Sequence, residues 1–155
     1  MTQQEMDKWT TAYHEAGHAI VIHQSRFFEL KDPAILLTGT AQDNLAQAAI
    51  SGPARSSWTA DVARDFSVIS FGGYVAQSML ESLRGWKCPQ EGCHEDYRMM
   101  SEALNQFGIY SEHPAHLEKC VEIIYPQIDK LKELAEVIFN SDVDVPKADV
   151  LAVLV

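Results

Sequence analysis

Between Gln4 and about Ser25 the chain has no proline, and Trp9, Ala12, Tyr13, Ala16, Ala19, Ile20 and His23 recur at spacings of three and four. That period predicts an amphipathic helix. The pattern breaks at Asp32-Pro33, and two short apolar runs follow, Ala34 to Thr38 stopping at Gly39 and Ala46 to Ile50 stopping at Ser51-Gly52-Pro53. Each reads as a strand. From Thr59, a good N-cap, the positions Val62, Phe66, Ile69, Gly73, Ala76, Leu80 and Leu83 step by three and four until Gly85, which predicts one long core helix. Gly72 and Gly73 at its centre cost about 1 kcal/mol each relative to alanine, so a second backbone is expected to pack closely there.

Trp86 to Gly92, with Pro89, reads as a loop, and Glu95 to Phe107 as a third helix with Tyr97, Met100, Leu104 and Phe107 on one face and Gly108 just past its end. Pro114 suits a first helical position. Behind it Leu117, Val121, Ile124, Ile128, Leu131, Ala135 and Ile138 continue the spacing, with Pro126 expected to kink or divide the helix. Asp144 and Pro146 read as the cap and first residue of a last short helix. The fold class is therefore mainly α (α+β), with at most a small β-sheet.

Composition narrows the setting. The 155 residues are 46% hydrophobic and 22% charged, enough for one core and one domain over residues 1–155, and no repeat or Gly/Ser/Pro-rich linker divides them. A formal charge of −10 opposes nucleic acid and anionic membrane surfaces as partners. No apolar run approaches the roughly 20 residues of a bilayer span. The start Met1-Thr2-Gln3-Gln4-Glu5 lacks the basic and apolar segments of a secretory signal, and three cysteines do not make a disulfide framework. A cytoplasmic protein is expected.

The chemistry sits in the first predicted helix, where His14-Glu15-Ala16-Gly17-His18 spells H-E-x-x-H. At about 100° and 1.5 Å per residue, the two histidines differ by about 40° in direction and about 6 Å in height, so both imidazoles reach one metal ion from one face. Zinc there would act as a Lewis acid and bring the pKa of its water to about 7, with Glu15 beside it to take the proton. The bland alternative, a helix whose histidines are surface or satisfied core residues, leaves Gly17 in mid-helix without a reason. A catalytic zinc site wants a third protein ligand. The extended metzincin pattern is closed, because Val21 and Gln24 stand where it needs Gly and His. Asp61, Asp65, Glu81, His94, Glu95, Asp96, His113 and His116 remain open, and spacing does not choose among them.

Ala12-Tyr13-His14-Glu15-Ala16-Gly17-His18-Ala19 closely resembles the active-site helix of the FtsH-type zinc protease domain, the peptidase part of membrane-bound AAA proteases. Phe71-Gly72-Gly73-Tyr74-Val75-Ala76-Gln77 resembles that family's glycine-pair helix, and Cys93-His94-Glu95-Asp96-Tyr97 resembles the turn that carries its third zinc ligand, an aspartate. The carboxyl part from Leu117 to Val150 resembles the family's terminal helices in pattern. The resemblance implies a helical, zincin-like metallopeptidase in which His14, His18 and Asp96 bind zinc and Glu15 is catalytic. The departures are Tyr74 and Gln77, where the family usually has Arg and Glu, and Met99 and Met100 where it has small residues. His94 and Glu95 are the competing third ligands.

The resemblance also implies a polypeptide substrate and hints at a homo-oligomeric ring. With no G-x-x-x-x-G-K-[ST] in the sequence, a free-standing peptidase is expected to act on unfolded or flexible peptide, or to receive substrate from a separate ATPase or delivery partner, and to add it as a strand along Ala34 to Thr38. Two other readings compete: a zinc-stabilised adaptor derived from a protease, and a metal-free helical interaction domain. Cys88 and Cys93 share a loop with His94 adjacent, which offers half of a second zinc site, but too few ligands are in view and the two read as ordinary or redox-sensitive thiols, with Cys120 as a core thiol. His113 and His116 read as solvated surface, and His23 lies too far along its helix to join His14.

Overall fold

A computed structural model describes residues 1–38 and 45–155, so the stop expected at Gly39 lies outside the described residues. The chain folds as α1 Gln3–His23, β1 Glu29–Thr38, β2 Leu45–Ser51, α2 Ala60–Ser70, α3 Gly72–Arg84, α4 Glu91–Gln106, α5 His113–Ile124, α6 Ile128–Phe139 and α7 Lys147–Leu154. It is mainly helical, with a two-stranded antiparallel sheet among the described residues. No described helix is long and apolar enough to cross a membrane.

The first helix begins at a capping box, in which the Thr2 side chain accepts from the Glu5 amide while the Glu5 carboxylate accepts from the Thr2 amide. It is more than amphipathic. Every residue from Ala12 to Ile22 is buried, because α3, α6, β1 and β2 surround it. Its motif is consequently carried by the most enclosed element of the fold.

The long helix expected from Thr59 to Gly85 is two helices. Thr59 caps the first as predicted, its hydroxyl accepting from the Val62 amide, and Gly85 ends the second in the left-handed region at φ 74°. The break falls at Phe71, one residue before the glycine pair. Those glycines are there for contact. A Cβ on Gly17 would lie 2.2 Å from the Gly72 carbonyl oxygen, and one on Gly72 would lie 2.9 Å from that of Gly17, so α1 and α3 cross backbone to backbone.

A substitution at this crossing has a predictable sign. Gly17→Ala gains about 1 kcal/mol of helix propensity, but its methyl must push two backbones apart, an overpacking cost of about 3 kcal/mol where neither can yield. The net loss of about 2 kcal/mol corresponds to a fall of roughly 4–8 °C in Tm for a chain of this size. Calorimetry of the variant would read it directly.

The sheet differs from expectation in extent. β1 starts at Glu29 and passes through Asp32-Pro33 rather than beginning after it, with the register shifting between Leu30 and Ile35. Proline is tolerated at such an irregularity because no ladder bond is required of it there. At Ile35 both edges of β1 are engaged: Ala48 of β2 pairs on one side, and on the other the Ile35 and Val145 backbones exchange hydrogen bonds of 3.2 and 2.8 Å. Substrate addition along Ala34 to Thr38 therefore meets an occupied edge at Ile35. Because the Ile35 amide and carbonyl point to Val145, those of Ala48 point away from β1, toward α1.

Two further details depart from expectation, and one, the division at Pro126, holds. Trp86 to Gly92 is a loop only to Gln90, since α4 starts at Glu91. Pro126 divides the next helix at a single turn, Tyr125–Gln127. Asp144 does not cap α7; its carboxylate accepts from the Leu37 amide at 2.7 Å, and Asp32 of β1 accepts from the Lys147 amide at 3.0 Å. The cap is thus supplied from across the fold, pinning the carboxyl end to β1.

His116 is buried rather than solvated, with Nδ1 2.8 Å from the Ser67 hydroxyl of α2. Ser67 is fully buried. Burial lowers the pKa of His116, partly offset by Glu112, which lies 3.5 Å from Nε2 and is itself held by Arg64; Arg64 and Lys119 oppose the charged form further. The unfolded chain therefore protonates first. The stability from neutral His116 is complete above its ordinary pKa of 6.5 and is lost as pH falls below that value through the lower folded pKa. We expect the stability difference between the wild type and His116→Gln, which keeps a donor for Ser67, to shrink between pH 7.5 and 5 in urea titrations.

Candidate metal centre

His14 and His18 project from α1 toward α4, where Asp96 stands one turn into the helix. Asp96 Oδ2 is 2.9 Å from Nε2 of His14 and 2.9 Å from Nε2 of His18, and the two Nε2 atoms are 3.0 Å apart. The three atoms form a nearly equilateral triangle. Four-coordinate zinc with nitrogen and oxygen ligands at about 2.0–2.1 Å would set them about 3.3–3.4 Å apart, so the triangle is only a few tenths of an ångström tight. Among the described residues these are the three His, Cys, Asp or Glu side chains whose ligand atoms all lie within 4.8 Å of one another.

The histidine tautomers follow from what stands behind the rings. His18 Nδ1 donates to the Ile69 carbonyl at 2.8 Å, an oxygen near the break between α2 and α3. His14 Nδ1 donates to Gln77 Oε1 at 2.5 Å, and the amide orientation is set because Gln77 Nε2 donates to the Pro89 carbonyl at 2.8 Å. With both Nδ1 atoms carrying hydrogen, a neutral ring presents its Nε2 lone pair to the triangle. Two such lone pairs 3.0 Å apart beside a carboxylate call for positive charge between them, which a metal ion or protons can supply. Without a metal ion, protons take that place: burial opposes charging either ring, but the Asp96 carboxylate outweighs it and holds both pKa values up at about 9. Those histidines in turn keep Asp96, despite its burial, well below the usual carboxylate range. A metal ion must displace these protons.

The second glycine of the pair makes room for this arrangement. A Cβ on Gly73 would lie 2.2 Å from His14 Cε1 and 2.4 Å from both ring nitrogens, so any side chain there would evict the imidazole. Cys93 is buried beside it, 3.4 Å from Gln77 Oε1 and 4.0 Å from His14 Nδ1.

Glu15, one residue round from His14, faces β2. Its Oε2 accepts from the Ala48 amide at 2.6 Å, a bond the sheet leaves available because that amide points away from β1. Burial raises the Glu15 pKa, while His18, His14 and the Ala48 amide pull it down. The bond anchors one carboxylate oxygen on the strand.

The other candidate ligands lie elsewhere. Glu95 pairs with Arg98, His94 lines an apolar cavity, Asp61 pairs with Arg64, and Asp65 accepts from the Phe27 amide and the Ser25 hydroxyl. His113 Nδ1 donates to the Tyr110 carbonyl, and His116 faces Ser67. Cys88, Cys93 and Cys120 are all free and buried; burial pushes the Cys120 thiol up to about 12 and makes it inert. Sequence reasoning missed Gln77 as the partner of His14, and Ile69 and Ala48 altogether. Backbone donors and acceptors carry no sequence signature, whereas Gln77 was in view as a departure. No protein-family model, curated protein or solved structure matches the chain.

Proposed function

We propose that this chain is a zinc-dependent metallopeptidase of the FtsH-like, zincin type, hydrolysing peptide bonds in flexible or unfolded polypeptides. The observation that carries the reading is the convergence of His14 Nε2, His18 Nε2 and Asp96 Oδ2 to within 3.0 Å of one another, with Glu15 on the adjacent position of the same helix. Zinc held by these three would supply a Lewis acid that polarises a carbonyl and lowers the pKa of water to about 7.

The chain's own residues supply the rest. Gln77 and the Ile69 carbonyl orient the two imidazoles. Glu15, fixed through Oε2, holds a proton on its other oxygen after taking it from the attacking water and releases it to the leaving amine. The Ala48 carbonyl, on the edge of β2 away from β1, offers an extended peptide a backbone acceptor, which favours unfolded substrate, while the Ala48 amide stays with Glu15. Gln77 stands where the family usually has Glu, yet it meets the Nδ1 of His14, so this departure does not argue for the adaptor reading.

The test begins with metal analysis of protein purified without added zinc or chelator, followed by cleavage of an unstructured peptide before and after chelation. One zinc per chain, loss of cleavage with chelator and its return with zinc are expected. A stoichiometry near zero that added zinc does not raise would remove the reading.

A further inference from the structure

A second surface lies on the far side of α3. Tyr74, Ser78, Leu83, Leu117, Val121 and Tyr125 are among the residues lining an open groove of about 390 Å³ between α3 and α5. At Tyr74 and Leu117 it runs on into an apolar cavity of about 310 Å³ beneath Tyr97 and Met100. Five of the nine exposed large apolar side chains described (Tyr74, Leu83, Tyr97, Val121 and Tyr125) lie along this one strip. Scattered exposed apolar residues need no explanation, but a contiguous strip marks an interaction surface.

Charge and shape select the occupant. Neither lining contains Lys, Arg, Asp or Glu. The exposed residues next to Leu117 and Val121 are Glu118 and Glu122, which lie about 100° round α5 from them, whereas Lys119 is about 200° from Leu117 and faces away. A second copy would bring the same acidic rim and a further charge of −10. From Tyr74 to Leu83 the groove runs about 14 Å along α3, length for about two and a half turns of a partner helix.

We propose that this strip is a docking site for a basic amphipathic helix of another protein. Apolar residues at i, i+3, i+4 and i+7 enter the groove, one large apolar side chain fills the cavity, and Lys or Arg flanking the stripe face Glu118 and Glu122. The inference is independent of the proposed metal chemistry.

The test uses an 18-residue peptide of Leu and Lys in helical period with one Trp in the stripe, together with its Lys→Glu counterpart. Binding is read by fluorescence anisotropy on protein carrying Glu15→Gln, so that no peptide is consumed. The Lys peptide is expected to bind with micromolar Kd and the Glu peptide at least tenfold more weakly. Ser78→Arg and Val121→Arg should each weaken the Lys peptide at least tenfold, while Ser56→Arg, the same charge change at an exposed site outside the groove, should leave it within twofold. Thermal unfolding checks that the variants fold, and exposed Ser78 serves if Val121→Arg does not. Equal weakening by Ser56→Arg, equal binding of the two peptides, or no binding at all would overturn the proposal. So would a wild-type dimer in light scattering that Ser78→Arg dissociates, which gives the face to a second copy.

Discussion

Replacing Glu15 with glutamine is expected to lower kcat for peptide cleavage by about 10²–10⁴-fold, the usual contribution of a positioned acid–base group, and to leave zinc content unchanged. The two effects separate because Glu15 is not one of the three converging ligand atoms. Glutamine has the same length, and its carbonyl oxygen can accept the Ala48 amide that Glu15 Oε2 accepts at 2.6 Å. It cannot take up a proton. The variant also places a neutral group where burial disfavours a charged one, so folding should not suffer. Metal analysis and a cleavage assay on the same samples check both halves. Equal cleavage by wild type and variant would assign proton transfer to another group, and no cleavage by zinc-loaded wild type would leave the adaptor reading.

Much of the fold was legible because helix periodicity and its punctuation are local. Thr59, Gly85, Pro114 and Pro126 act where a single residue's geometry decides, and each does what its chemistry predicts. The errors occur where a neighbour distant in sequence decides. Pro33 looks like a strand breaker, but β1 continues through it because Ile35 pairs on both edges. Asp144 looks like a cap, but Leu37 takes its carboxylate and Asp32 caps α7 instead. His116 looks like surface at the start of a helix, and only the packing of α2 on α5 buries it.

The candidate site divides in the same way. His14, Glu15 and His18 lie within about one helical turn of α1, a spacing that sequence specifies. Asp96 is 78 residues beyond His18 and was reached by resemblance rather than by spacing. The glycine pair was legible as a close approach, yet its two members do different things: Gly72 lets α3 touch α1, and Gly73 leaves a slot for an imidazole. Nothing in the local pattern distinguishes those roles, because both amount to a missing Cβ.

Removing Asp96 should have the largest effect on the metal. Outer groups that orient a ligand are worth about 10–100-fold in affinity, so Gln77→Leu, which takes the acceptor from His14 Nδ1, is expected within that range. Asp96→Ala deletes one of three ligand atoms and should exceed about 100-fold. It leaves two Nε2 atoms 3.0 Å apart with no anion between them. At zinc set to 100 times the wild-type Kd, binding stabilises the wild type by about 2.7 kcal/mol. A variant bound 100-fold more weakly gains only about 0.4 kcal/mol, so the thermal shift on adding zinc should almost vanish. His94→Ala and Glu95→Ala provide the contrast. Glu95 is turned to Arg98 and His94 lines the apolar cavity, so both should bind zinc within twofold of the wild type in chelator competition. If either loses zinc while Asp96→Ala keeps it, the third ligand has been misassigned and the triangle of Nε2, Nε2 and Oδ2 is an ion pair rather than a metal centre.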